Sequence, residues 1–138
     1  MKKLFTLIPA ILLASSVQAY EGSPKNQVSS FFKDLGAGNH SEAIDKLYSS
    51  NPLMSQKPQQ LTMLKQQLGS ISALYGGFIG NENMNTEELS SSVIRIVEVA
   101  KHEHHPIIWE FYFYKPKDRW IISQGMFVDQ FQTVDSKK

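Results

Sequence analysis

The chain has 138 residues, with 14 basic and 13 acidic side chains, a formal net charge of +1 and no cysteine. Without cysteine there are no disulfides and no thiol chemistry, so stability must come from packing. A near-neutral chain without a basic stripe is a poor partner for nucleic acid or an anionic membrane surface.

Residues 1–19 read MKKLFTLIPAILLASSVQA. Lys2 and Lys3 form a basic start, Leu4 to Ala14 an apolar run, and Val17-Gln18-Ala19 a small-residue cleavage pattern before Tyr20. This is the layout of a secretory signal peptide, too short for a comfortable membrane span. The expectation is a signal peptide over 1–19 and one domain over 20–138, periplasmic or secreted, with no membrane insertion once the signal is removed. Loss of Lys2 and Lys3 takes the basic count from 14 to 12 against 13 acids, leaving a net charge of −1. A lipoprotein anchor would need a cysteine at the cleavage point.

Glu21 to Asn26 is a polar lead-in. Val28, Phe31, Phe32 and Leu35 then recur at helical spacing and stop at Gly36-Ala37-Gly38, where glycine can close a helix. Asn39 with Glu42 three residues on predicts a capping box, followed by a short helix with Ala43, Ile44, Leu47 and Tyr48 as its apolar stripe. A third helix is predicted from near Pro58, with Leu61, Leu64, Leu68, Ile71 and Tyr75 on one side and Gly76-Gly77 as its stop.

The remainder predicts sheet. Phe78 to Met84 reads as a strand leading into a polar loop at Asn85 to Glu88, and the oxygen-rich run Asn81 to Asn85, which lacks calcium-loop spacing, reads as a turn. Ser91 to Lys101 alternates cleanly, with Val93, Arg95, Val97 and Val99 on one face and Ile94, Ile96, Glu98 and Ala100 on the other. Pro106 to Phe131 holds both tryptophans together with Phe111, Tyr112, Phe113, Tyr114, Phe127 and Phe131, in two strand-like runs around a Lys115-Pro116-Lys117-Asp118 turn. In the first run Ile107, Trp109, Phe111 and Phe113 share one face and Ile108, Glu110, Tyr112 and Tyr114 the other. In the second, Trp120, Ile122, Gln124, Met126 and Val128 alternate with Ile121, Ser123, Gly125, Phe127 and Asp129. Each buried aromatic contributes roughly 1.5–3 kcal/mol, so both faces call for cover: one from the chain's own helices, the other from a curl of the sheet or a second subunit. Helices followed by strands argue an α+β fold, with three N-terminal helices on one face of a curved antiparallel sheet of three to four strands.

The pattern resembles the nuclear transport factor 2-like superfamily, also called the ketosteroid-isomerase-like or cystatin-like α+β cone. The matching residues are Phe31-Phe32, Leu35, Gly38-Asn39, Ala43-Ile44 and Leu47-Tyr48, then Phe111-Tyr112-Phe113-Tyr114-Lys115-Pro116 and Arg119-Trp120-Ile121-Ile122. The resemblance spans nearly all of 20–138 and is one of shape and spacing. It implies a curved sheet wrapped around helices to leave a conical pocket, an outer sheet face that often forms a dimer, and a strand between the second and third helices, which this sequence does not evidently carry. Members include isomerases, dehydratases, cargo binders and inert scaffolds, so the fold alone assigns no activity. The isomerase pattern of an aspartate base with a tyrosine and a protonated acid cannot be placed on matching positions, and no catalytic residue is carried over.

Among candidate sites, Arg95, Glu98, Glu110 and Tyr112 are polar groups inside apolar strands. Buried charges usually pair, and antiparallel pairing can set Arg95 near Glu110 or Tyr112, either as a structural cross-strand contact or as a ligand-orienting group. The candidate ligand-binding set is Arg95, Glu110, Tyr112, Trp109 and Tyr75; Tyr48, Tyr75 and Trp109 also fit plain core. His102, Glu103, His104 and His105 raise a metal site, but they lie in one short connection without a second segment of ligands and read as a solvated turn. Asp129 reads as a base or a solvated strand end. There is no Ser-His-Asp constellation, Gly-rich phosphate loop or calcium loop, and no cofactor is implied. The leading expectation is an exported, non-catalytic binding or interaction domain for a small apolar ligand or an envelope protein, homodimeric through its sheet. The alternative is a cofactor-free isomerase or hydratase-type enzyme with a carboxylate in the pocket.

Overall fold

A computed structural model describes residues 17–130. Most of the expected signal peptide, and the tail from Phe131, lie outside the described residues. Three helices, α1 (Pro24–Gly36), α2 (His40–Tyr48) and α3 (Pro58–Tyr75), precede four strands, β1 (Phe78–Ser90), β2 (Val93–His102), β3 (Pro106–Tyr114) and β4 (Ile121–Val128). The strands form one open antiparallel meander in the order β1-β2-β3-β4. Between α2 and α3 lies a 3-10 turn, Pro52–Gln56. No described helix is long and apolar enough to cross a membrane.

Ser23 caps α1 by accepting a hydrogen bond from the Asn26 amide, and Pro24 occupies the first turn, where a missing N–H is harmless. The stripe Val28, Phe31, Phe32 and Leu35 is buried as its spacing requires. The capping box expected at α2 does not form: Asn39 stands at the N-cap but its side chain makes no capping bond. Its backbone, at ψ 55°, is outside the extended conformation that aims a capping side chain at the first turn. α3 buries Leu68 and Ile71, half-buries Leu61, Leu64 and Tyr75, and ends at Gly76 with φ +86°.

The helices cover one face of the sheet. Phe31 meets Trp109 and Phe111 edge-on at centroid distances of 4.9 and 5.6 Å, Phe32 meets the same rings at 6.3 and 6.0 Å, and Trp109 stacks on Phe111. Ile96, Ala100, Ile107, Phe113 and Ile122 complete this core, so the space between helices and sheet is filled by packed rings and aliphatic groups. On the outer face Val97 and Ile108 are buried beside Val99 in a second, small cluster.

Two sheet expectations are corrected. Asn81 to Glu88 contains neither a turn nor a loop: β1 runs unbroken from Phe78 to Ser90, paired along its length with β2. It is irregular at three places, where Ile79, Met84 and Leu89 fall outside the ladder at intervals of five residues. In β4 the simple alternation also fails. An irregularity opposite Tyr112/Phe113 omits Ser123, so Ile122 opposes Phe113, while Gly125 opposes Phe111 and Phe127 opposes Trp109. A bulge inserts one residue and swaps the side-chain parity beyond it, which puts Ile122 and Phe127 on the same, helix-facing side.

The free margin of β4 is held by side chains from the helical layer. Tyr48 donates to the Gly125 carbonyl (2.8 Å) and accepts from its amide (3.1 Å). Ser50 accepts from the Ile122 amide, Asn51 donates to the Ile122 carbonyl, and Gln27 donates to the Trp120 carbonyl. Each contact satisfies a backbone group that has no neighbouring strand.

Candidate functional site

The polar groups expected inside the strands separate into two places. On the outer face, β2–β3 pairing puts Arg95 opposite Tyr112 and diagonal to Glu110. Arg95 Nε donates to Glu110 Oε1 at 2.8 Å, and the Tyr112 hydroxyl donates to the same oxygen at 2.7 Å. Arg95 Nη1 also lies 3.5 Å from Glu87 Oε2 on β1. The side chains of Arg95 and Glu110 are 13 % and 6 % exposed, so the pair is largely desolvated. The bond to Glu110, followed by burial, raises the Tyr112 pKa above its ordinary value. The same carboxylate raises that of Arg95. The structure thus gathers three of the five candidate ligand residues into one hydrogen-bonded cluster. The other two are elsewhere: Trp109 is packed in the core on the opposite face, and Tyr75 ends α3.

Tyr75 belongs to a different feature. Beside α3 lies an open groove of about 610 Å³, lined among the described residues by Ile71, Leu74 and Tyr75 of the helix and by Ile107, Phe127 and Val128 of the sheet. Leu74 is 69 % exposed. Gln67, Ser70, Asp129 and Gln130 stand around it. The Tyr75 hydroxyl donates to Asp129 Oδ2 at 2.6 Å, and this bond raises the Tyr75 pKa. Toward the start of α3 a more polar groove of about 440 Å³ separates Leu61 and Leu64 from Gly125.

The second polar place is on the helix-facing side, beyond the reach of α2 and α3. Glu98 is 6 % exposed and lies at the floor of a pocket of about 470 Å³ with Ile96, under a mouth made by Lys25 and Ser29 of α1 and Asn81, Asn83 and Thr86 of β1. Asn81 Nδ2 donates to Glu98 Oε2 at 3.2 Å and Asn83 Nδ2 to Glu98 Oε1 at 3.0 Å. The sequence marks Glu98 as a polar group in an apolar strand, but its two amide partners are hidden once Asn81 to Asn85 is read as a turn. Asparagines two apart share a face only on a strand.

The histidine turn closes on the end of α3. His102 Nδ1 lies 3.0 Å from the Gly76 carbonyl, the His104 amide donates to the Tyr75 carbonyl, and the Gly77 amide donates to Glu103 Oε1. The His105 ring packs against Tyr75. Among the described residues no group of three or more His, Cys, Asp or Glu side chains is placed to hold a metal ion.

No protein-family model, curated protein or solved structure matches this chain.

Proposed function

We propose that the protein is an exported, non-catalytic binding domain of the nuclear transport factor 2-like kind, taking a small apolar or amphipathic molecule in the groove between α3 and β4. The observation that carries this reading is the groove of about 610 Å³ itself, with Ile71, Leu74, Ile107, Phe127 and Val128 as its apolar lining. Small-molecule sites commonly have volumes of about 300–1,000 Å³ with a few polar groups at the rim. Here Gln67, Ser70 and the Tyr75–Asp129 pair supply those groups, suiting a ligand with one polar end. The order of three helices then an antiparallel meander supports the family reading; the 3-10 turn between α2 and α3 stands where familiar members have a strand. The site lies at the margin of the sheet, since packed rings fill the interior.

The test is native mass spectrometry of protein recovered from its own compartment, together with titration of the fluorescent probe anilinonaphthalene sulfonate. Leu74→Glu, at an exposed helix position, is expected to keep the fold and to lower probe affinity at least tenfold. Equal probe binding by this variant, with only bare chain in the mass spectrum, would overturn the proposal.

A homodimer through the outer sheet face is the second part of the reading. It is favoured by Val93, Tyr112, Tyr114 and Ile121, which lie side by side there, half-buried or exposed. Light scattering after size exclusion is expected to give twice the chain mass, reduced to one chain by Tyr114→Glu. A single-chain mass for the unaltered protein removes this part alone.

A further inference from the structure

The described residues include two buried acids, and their surroundings differ. Glu110 faces the guanidinium of Arg95. Glu98 receives one N–H from each of two neutral carboxamides, and among the described residues no lysine, arginine or histidine forms an ion pair with it. A desolvated carboxylate without a counter-charge is costly. The cost falls when a cation arrives, provided that it has a way in. Glu98 has one, the pocket of about 470 Å³ open between α1 and β1.

We infer that this pocket binds a small organic cation through its ammonium group, with Glu98 as the counter-ion and Ile96 as the apolar floor for the attached carbon chain. The site is separate from the groove beside α3. A carboxylate offers about four lone-pair directions, and the two amides use one on each oxygen. One direction on each oxygen therefore stays available to an N–H donor. The oxygens of Ser29 and Thr86 at the mouth can accept the remaining ammonium protons. A hard metal ion is a poorer fit, because it favours several charged oxygens and this pocket supplies one carboxylate. An anion would meet the Glu98 charge below the exposed Lys25. The asparagines fix the carboxylate: Asn83 Nδ2 also lies 3.1 Å from Thr86 Oγ1, tying its amide to β1. The acid thus presents a fixed target, and a ligand need not order it on arrival.

The experiment uses the whole processed chain, followed by amide nitrogen–proton NMR, with propylammonium as the probe and 1-propanol and propionate as isosteres. Propylammonium is expected to shift the side-chain amide signals of Asn81 and Asn83 saturably, while 1-propanol and propionate at equal concentration leave them in place. Glu98→Gln keeps the volume and removes the charge, and should weaken propylammonium binding at least tenfold. Lys25→Met, which takes a competing cation from the mouth, should leave binding equal or tighter. Leu74→Glu should leave it unchanged, separating this site from the groove. An equal response to 1-propanol, no response to propylammonium, undiminished binding by Glu98→Gln, or weaker binding by Lys25→Met would each overturn the inference. The comparison of isosteres on the unaltered protein holds even if a variant fails to fold.

Discussion

The contact between Tyr48 and Gly125 offers a sharp test of how the helical layer is fastened to the sheet. A methyl group added at Gly125 would lie 2.9 Å from the Tyr48 hydroxyl oxygen and 3.7 Å from its ring carbon Cζ. The hydroxyl, 2.8 Å from the Gly125 carbonyl and 3.1 Å from its amide, cannot stay in place. Gly125→Ala should therefore cost about 1–3 kcal/mol, by crowding a packed site and by releasing two backbone hydrogen bonds. Tyr48→Phe loses the same two bonds without crowding and should cost about 1–2 kcal/mol. In the double variant the hydroxyl is gone and the new methyl meets ring carbon at ordinary contact distance. It should be about as stable as Tyr48→Phe alone, so the two changes couple by the whole cost of Gly125→Ala, about 1–3 kcal/mol. Urea unfolding followed by circular dichroism reads this directly, and each kcal/mol should move the thermal midpoint by about 3–5 °C for a domain of this size. Costs that add to within about 0.5 kcal/mol would refute the reasoning, because the hydroxyl would then not be what the methyl meets.

Four further outcomes follow from the same structure. Gly76→Ala should destabilise by about 1–3 kcal/mol, since φ is +86° and the added Cβ would come within 2.8 Å of the Glu103 Cβ. Gly69→Ala, inside α3 with nothing within 4 Å, should stabilise by about 0.5–1 kcal/mol; the two thermal midpoints should move in opposite directions. Arg95→Met should cost about 3 kcal/mol by taking the guanidinium from a desolvated carboxylate, and adding Glu110→Leu should recover most of it in urea melts. At high pH, Tyr20, Tyr48 and Tyr112 have pKa values raised above 10.0: Tyr20 by burial and Asp34, Tyr48 by burial, and Tyr112 by Glu110 and burial. As pH rises past about 10 the unfolded chain loses these protons first, so stability is full below that pH and declines above it. The tyrosinate absorbance that is lost in Tyr20→Phe, Tyr48→Phe or Tyr112→Phe should appear together with unfolding; ionisation of these three near pH 10 with the fold intact would contradict the assignment.

What could be read from the residues, and what could not, divides on a physical line. α1 and α3 show in the sequence because a packed face imposes a 3.6-residue period and a glycine stop follows. β3 shows because alternation sorts Trp109, Phe111 and Phe113 from Glu110 and Tyr112; that Arg95 falls near Glu110 or Tyr112 also follows from antiparallel pairing, but which of them it meets is set by the register. β1 does not show. Its ladder is made of backbone hydrogen bonds, its side chains are mostly polar, and each irregularity at Ile79, Met84 and Leu89 resets the alternation that would have revealed it. The bulge at Ser123 misled in the same way, because an inserted residue leaves no mark in composition. The Glu98 pocket was lost with β1. The groove beside α3 brings Leu74 to Val128, a juxtaposition that depends on how the helix lies on the sheet and not on local pattern.

Those three insertions along β1 have a further consequence. An open sheet invites a stranger's chain to zip onto its margin, and such zipping needs a long run in which inward and outward side chains match in step. Between the insertions β1 keeps step only over Gly80–Asn83 and Asn85–Glu88, four residues at a time. At the far margin, Tyr48, Ser50 and Asn51 already occupy the hydrogen-bonding groups of Gly125 and Ile122 that a newcomer would claim. Both margins are thus poor templates for fibre-like stacking.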